Sequence, residues 1–152
     1  MHYVLGMEVW QSADGIFLGQ RKYAVEILKM FGMIDCKAMN TPMASSLKPL
    51  SVSSLYLVVA MMYRQMIYSL MYLTNMRPDI FFAVNTLRHV HLMVAKHVVR
   101  YLKGTVDYGL KYEANQKINL EGYVDSYWKG SAIDRKRNLR FCFSMRSGVI
   151  SW

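Results

Sequence analysis

Carboxylates and cysteines are scarce in this chain, and each shortage excludes something. Ten Asp and Glu face nineteen Lys and Arg, so the formal net charge at neutral pH is +9. The imbalance is uneven: residues 1–76 hold six basic and four acidic side chains, and residues 77–152 hold thirteen and six. A basic half favours polyanions, meaning nucleic acid or an anionic membrane surface. Two cysteines, Cys36 and Cys142, imply no disulfide framework and fall short of a metal site; they read as reduced intracellular thiols. No uncharged run spans a bilayer, because the longest, Pro49 to Tyr63, is short and starts polar. Met1-His2-Tyr3 leads straight into a strand-like run that Glu8 interrupts, unlike a signal peptide, which favours an intracellular chain. There is no glycine-rich phosphate loop, no G-x-S-x-G elbow and no internal repeat. What is abundant is apolar: 53% hydrophobic residues rule out simple disorder. A length of 152 residues suffices for one core, in one domain or two small incomplete ones.

Tyr3 to Trp10 and Ile16 to Gln20 read as strands, joined through Ser12-Ala13-Asp14-Gly15 as a hairpin, because glycine accepts the positive φ of the turn. Arg21 to Phe31 reads as a helix with Tyr23, Ile27, Met30 and Phe31 on one face and Gly32 at its C-terminal end. Asn40 to Ser54, rich in proline and serine, reads as a linker with a boundary near Ser54. Leu55 to Met62 is apolar and either extends the next helix or exposes a sticky patch.

The strongest periodic signal runs from Tyr63 to Thr105. Ile67, Leu70, Met71 and Thr74 fall at helical spacing, as do Ile80, Val84 and Leu87, and then Val94, Val98, Tyr101 and Leu102. Asn75 caps or ends the first helix, and Pro78 suits the first turn of the next. Strands are expected at Tyr108 to Glu113, Ile118 to Ser126, Leu139 to Met145 and Val149 to Trp152. Asn115-Gln116 and Ser147-Gly148 sit at turns between them.

Y-R-x-x-I-x-S-L-M-Y-L-T-x-x-R-P-D-I-x-F-A-V, followed by V-x-R-Y-L-K-G-T, resembles the polymerase-to-RNase H connection of copia-type retrotransposon Pol polyproteins. Upstream, L-G-M-E-V, D-G-I-F-L, Q-R-K-Y-A, E-I-L-K-x-F-G-M, D-C-K and T-P-M resemble the end of the reverse transcriptase in the same family. The resemblance implies a hairpin near the primer terminus and a helix that opens the thumb. It also implies a proline-containing loop after the A-V-x-x-L helix. Here Leu87-Arg88-His89-Val90-His91 has none, so the flanking helices are expected either to fuse into one rod or to meet in a strained turn.

Leu120 to Ser126 resembles the first strand of the RNase H fold, where the resemblance makes Asp125 one of four carboxylates that hold two Mg²⁺ ions. Two metals clamp the attacking and leaving oxygens of a phosphodiester, and each requires octahedral oxygen ligation. Only Asp125 carries over. The family pattern D-S-D-W-A-G is here Asp125-Ser126-Tyr127-Trp128-Lys129-Gly130, and D-R-K-S-T-S-G is Asp134-Arg135-Lys136-Arg137-Asn138-Leu139-Arg140. Asp125 alone then reads as a remnant, or simply as a solvated strand-end carboxylate. The Y-V-D-D pair of the polymerase does not occur, because Tyr123-Val124-Asp125-Ser126 aligns with the RNase H strand instead.

His89, Lys96, Arg100 and Lys103 fall on one helical face. This stripe either tracks a phosphate backbone or is a solvated face opposite the apolar stripe. Arg135, Lys136, Arg137 and Arg140 add a second basic cluster assigned to nucleic-acid contact. His89, His91 and His97 lack the spacing of a metal site, and the thirteen methionines read as core filler.

These readings converge on an α+β chain in three parts. Residues 1–54 form a hairpin, a thumb-like helix and a linker; 55–105 form a helical pair; 106–152 form an antiparallel three-stranded piece of an incomplete RNase H-like fold. The expected role is a Pol fragment without catalysis, needing no cofactor where the parent family uses Mg²⁺. Weak sequence-independent binding of RNA or an RNA–DNA hybrid is the retained function, with no membrane partner. The alternatives are a protein-interaction module working through its apolar helices, or an effector-like protein from the same Pol region. Arg137-Asn138-Leu139-Arg140 spells an R-x-L-R string but lies far from the N-terminus, and is read as coincidence.

Overall fold

The computed structural model describes residues 1–43, 57–87, 92–115, 117–126, 139–145 and 147–152. The expected strand from Tyr3 to Trp10 is two strands, β1 (His2–Val4) and β2 (Met7–Ser12). Val4 pairs with Met7, which leaves Leu5 and Gly6 as a two-residue loop with φ of 48° and 76°. Two positive φ values define the hairpin turn whose twist matches that of the flanking strands. Gly6 adopts this conformation freely. Leu5 does so at a steric cost while 82% exposed, and its carbonyl accepts a hydrogen bond from the Tyr72 hydroxyl at 2.7 Å.

β3 (Gly15–Gly19) returns from β2 across Ala13 and Asp14, with Ser12 opposite Gly15. Its other edge pairs antiparallel with β4 (Gly109–Glu113), from Gly15↔Glu113 to Gly19↔Gly109. The expected N-terminal hairpin is therefore a four-stranded sheet, ordered β1-β2-β3-β4. A β3 edge left open would present a row of unpaired backbone groups, and β4 closes it. Glycine at 109 permits the close approach, since a Cβ there would run into the Leu18 carbonyl.

Helix α1 (Arg21–Met30) has no acidic residue in its first turn and no cap from Gln20. Its N-terminus is served instead by Glu8 of β2. That buried carboxylate accepts the Lys22 backbone N–H at 2.7 Å, satisfying a donor that has no partner within the helix. Gly32, at φ 63°, follows its end as expected. Met30, expected on the inner face, is 54% exposed; Ala24, Ile27 and Leu28 are the buried residues.

The expected central pair is three helices: α2 (Leu57–Leu73), α3 (Pro78–Thr86) and α4 (Leu92–Gly104). α3 and α4 pack against each other, so they are not one fused rod. The residues between them, with His89 and His91, lie outside the described residues, as does most of the expected linker. α2 takes in Leu57 to Met62, the helix-extending reading of that run, with Met61 and Met62 exposed. One hydrophobic core joins α1 to all three helices through Ile27, Leu28, Met66, Leu70, Leu73, Ile80, Val84, Leu87, Val98 and Leu102. Met66 and Leu73, which the expected face did not include, are fully buried, whereas Ile67 and Met71 flank the core half-buried. At roughly 1.5–3 kcal/mol per buried side chain, this core is the main stabilising term.

β5 (Leu120–Ser126), β6 (Leu139–Met145) and β7 (Gly148–Ser151) form a second antiparallel sheet in that order. It docks through β7. The Tyr112 hydroxyl donates to the Val149 carbonyl at 2.7 Å, the Glu113 N–H donates to Ser147 Oγ at 2.8 Å, and Trp152 Nε1–H donates to the Thr74 carbonyl at 3.0 Å. Gly148 is buried under the Tyr112 ring, where a Cβ would collide with it. The chain is thus α+β, with four helices and two antiparallel sheets among the described residues. None of those helices is long and apolar enough to cross a membrane.

Candidate functional site

Of the residues singled out for nucleic acid, Lys96, Arg100 and Lys103 lie on α4 opposite its buried Val94, Val98 and Leu102. Lys96 is exposed, whereas Arg100 and Lys103 are half-buried. The segment after α1 lies along this helix. Arg100 Nε donates to the Lys37 carbonyl at 2.8 Å, and the Met39 N–H donates to the Arg100 carbonyl at 3.2 Å. His97 Nε2 meets the Thr41 carbonyl at 3.0 Å; a carbonyl only accepts, so that nitrogen carries the proton. A Cβ on Gly104 would stand 3.2 Å from Ala38 Cβ. The stripe is therefore partly a seam for residues 37–41, with Arg100 committed to holding it.

Asp125 lies on β5, in register with Arg140 of β6. His89, Arg135, Lys136 and Arg137 lie outside the described residues. Among the described residues, no three or more His, Cys, Asp or Glu gather as a metal site would require.

The most constrained polar site among the described residues is not one of the sequence candidates. Arg77, just before α3, is 2% exposed. Its Nε and Nη2 donate to Asp79 Oδ1 at 2.8 Å and Oδ2 at 2.7 Å, a two-pronged charge-assisted pair. Nη1 donates to the Thr105 carbonyl at 2.8 Å, and Nη2 also to Thr105 Oγ1 at 2.7 Å. Thr105 Oγ1 in turn donates to the Tyr101 carbonyl at 3.0 Å, and the Tyr101 hydroxyl donates to Asp79 Oδ2 at 3.0 Å. The guanidinium carbon also sits 5.5 Å from the centre of the Tyr108 ring. Pro78 occupies the first turn of α3, so Asp79 stands at the helix N-terminus, where negative charge is favoured.

This arrangement sets the electrostatics. Burial pushes the Asp79 carboxyl up, but the Arg77 hydrogen bonds and charge, helped by Tyr101, outweigh it and hold the group below its ordinary value. Burial together with the neighbouring Asp79 charge pushes Tyr101 up to about 12. All three nitrogens of Arg77 donate inside the fold, so the site joins the entry to α3 with the exit from α4. A sequence signal existed: Arg77 and Asp79 belong to the R-P-D motif, and Tyr101 and Thr105 to R-Y-L-K-G-T.

The chain is similar to an uncharacterized mitochondrial protein of Arabidopsis thaliana, 38% identical over the whole chain and 66% of that protein. It is 34% identical to the retrovirus-related Pol polyprotein from transposon RE1 of the same plant, over the whole chain but 11% of the polyprotein. It is 30% identical to the corresponding polyprotein from transposon TNT 1-94 of Nicotiana tabacum, over 98% of the chain and 12% of the polyprotein. No family model and no solved structure matches it.

Proposed function

Since the chain belongs to the Pol polyprotein family of copia-type retrotransposons, we propose that it binds nucleic acid weakly and without sequence preference, and carries out neither DNA synthesis nor RNA cleavage. The observation that carries this reading is the charge surplus of residues 77–152, thirteen basic side chains, of which Arg77 is buried and paired, against six acidic. A phosphate backbone is the polyanion that such a surface tracks by counterion release rather than base readout. Lys96 and Lys103 are the contacts on α4, with Arg135, Lys136, Arg137 and Arg140 as the second cluster. Reading β5–β7 as opening strands of an RNase H-like fold belongs to the same proposal. On that reading Asp125 is one carboxylate where cleavage with two metals takes several, and the RNA–DNA hybrid is a ligand rather than a substrate.

Fluorescence anisotropy with a labelled single-stranded RNA and an RNA–DNA hybrid tests it between 50 and 200 mM salt. Six phosphate contacts, at about −0.7 each on a single strand, give a log–log slope of about −4. Binding that ignores salt, or its absence at the lowest salt, overturns the binding reading. Cleavage of the hybrid's RNA in magnesium, lost in Asp125→Asn, overturns the absence of catalysis.

A further inference from the structure

The second sheet presents an open edge. No described strand pairs with the side of β5 away from β6. From Leu120 to Val124 the strand is exposed, with Leu120, Tyr123 and Val124 at 65%, 61% and 62%. Its two faces differ sharply. Leu120, Gly122 and Val124 stand opposite Met145, Phe143 and Phe141 of β6, and the five large side chains of this set are all exposed on one apolar face. Glu121 and Tyr123 lie on the other face, where the Tyr123 hydroxyl donates to Glu121 Oε2 at 2.9 Å. An exposed, apolar edge strand of seven residues is a template for pairing with another strand.

We infer that β5 pairs antiparallel with β5 of a second copy of this chain. A two-fold axis through Gly122 sets Leu120 of each copy against Val124 of the other, and Glu121 against Tyr123. Leu120 and Val124 then meet across the ladder, Glu121 meets a phenol that can donate to it, and Asp125 falls opposite Asn119, just before the start of β5. An axis through Tyr123 would instead oppose Glu121 to Asp125, two like charges directly across the ladder, which is destabilising. The same pairing joins the two sheets into one of six strands with one continuous apolar face. The axis at Gly122 pairs Leu120 to Val124 with both faces satisfied, and it makes an isologous contact that closes at two copies.

Sedimentation velocity of the full chain against concentration tests this directly. The expected result is a shift from the 17.7 kDa chain to twice that mass. Each copy carries +9, so added salt screens their repulsion and leaves the dimer unchanged or stronger, the opposite of its effect on nucleic-acid binding. Tyr123→Glu places carboxylates opposite Glu121 twice and weakens association at least tenfold, whereas Tyr123→Lys retains it. The exchange Glu121→Lys with Tyr123→Glu restores opposite charges and recovers the dimer. Circular dichroism confirms that each variant is folded. A single chain mass at all concentrations, assemblies larger than two, or Tyr123→Glu and Tyr123→Lys behaving alike would overturn the pairing; the last outcome points to stacking through the apolar face instead.

Discussion

Replacing Arg77 by alanine should be among the most destabilising single changes outside the hydrophobic core. The magnitude follows from what the guanidinium leaves behind. Thr105 Oγ1 and its carbonyl each lose a donor inside the fold, but neither is orphaned completely. The carbonyl keeps the Tyr108 N–H at 3.1 Å, and Oγ1 still donates to Tyr101. The low end of the range for a lost buried partner, about 1 kcal/mol each, is therefore appropriate. The Asp79 side chain is 30% exposed, so water recovers part of its solvation, and losing the pair there adds about 1 kcal/mol rather than the larger cost of a fully buried ion. The sum is about 3 kcal/mol, against a total of about 5–15 kcal/mol for a domain of this kind. Arg77→Lys keeps the charge but not the planar fork, and should fall between the parent and alanine. Urea unfolding followed by far-ultraviolet circular dichroism gives the values, with an unchanged m value confirming that the same transition is observed. A loss below 1 kcal/mol in Arg77→Ala, or a lysine variant as stable as the parent, would refute the idea that this clamp ties α3 to α4.

Two further expectations come from the same fold. Asp79 is held below its ordinary value of 3.8, so its contribution is fully present above that pH and is lost as pH falls through the folded-state value. Tyr101, raised from 10.0 to about 12, stays protonated longer in the folded than in the unfolded chain. Its contribution is full below pH 10 and is lost towards pH 12. Urea midpoints measured against pH should lose part of their acid limb in Asp79→Asn and part of their alkaline limb in Tyr101→Phe. Limbs identical to the parent's would count against both assignments. Gly148→Ala should cost about 1–3 kcal/mol by forcing a methyl into the Tyr112 ring, and speed amide exchange in β7. Most of that penalty should vanish when Tyr112→Ala is made first; a penalty unchanged in that background would place the strain elsewhere.

Local patterns were the legible part of the sequence. α1, the stop at Gly32, Pro78 in the first turn of α3 and the buried stripes Ile80-Val84-Leu87 and Val94-Val98-Leu102 follow from spacing and turn chemistry alone. So does β6, whose limits match the expected run. The misses involve partners distant along the chain. Leu5-Gly6 hid its turn because leucine is an uncommon residue at positive φ, and Tyr72 supplies a contact to it from α2. β4 read as one more C-terminal strand because nothing local announces that its ladder lies on β3. Arg77 read as part of a motif rather than as a buried cation, since its acceptors at Thr105 are far away in sequence. Arg100 counted as a free contact for phosphate, whereas its Nε is committed to the Lys37 carbonyl.

The ladder between β3 and β4 also has a consequence during synthesis. Gly19 waits for Gly109, ninety residues downstream. At about 5–20 residues per second, β3 emerges from the ribosome roughly 5–20 s before its partner exists. Throughout that interval Ile16, Phe17 and Leu18 form a bare apolar border on a half-built sheet, which makes the nascent chain, more than the finished one, the form in need of a chaperone.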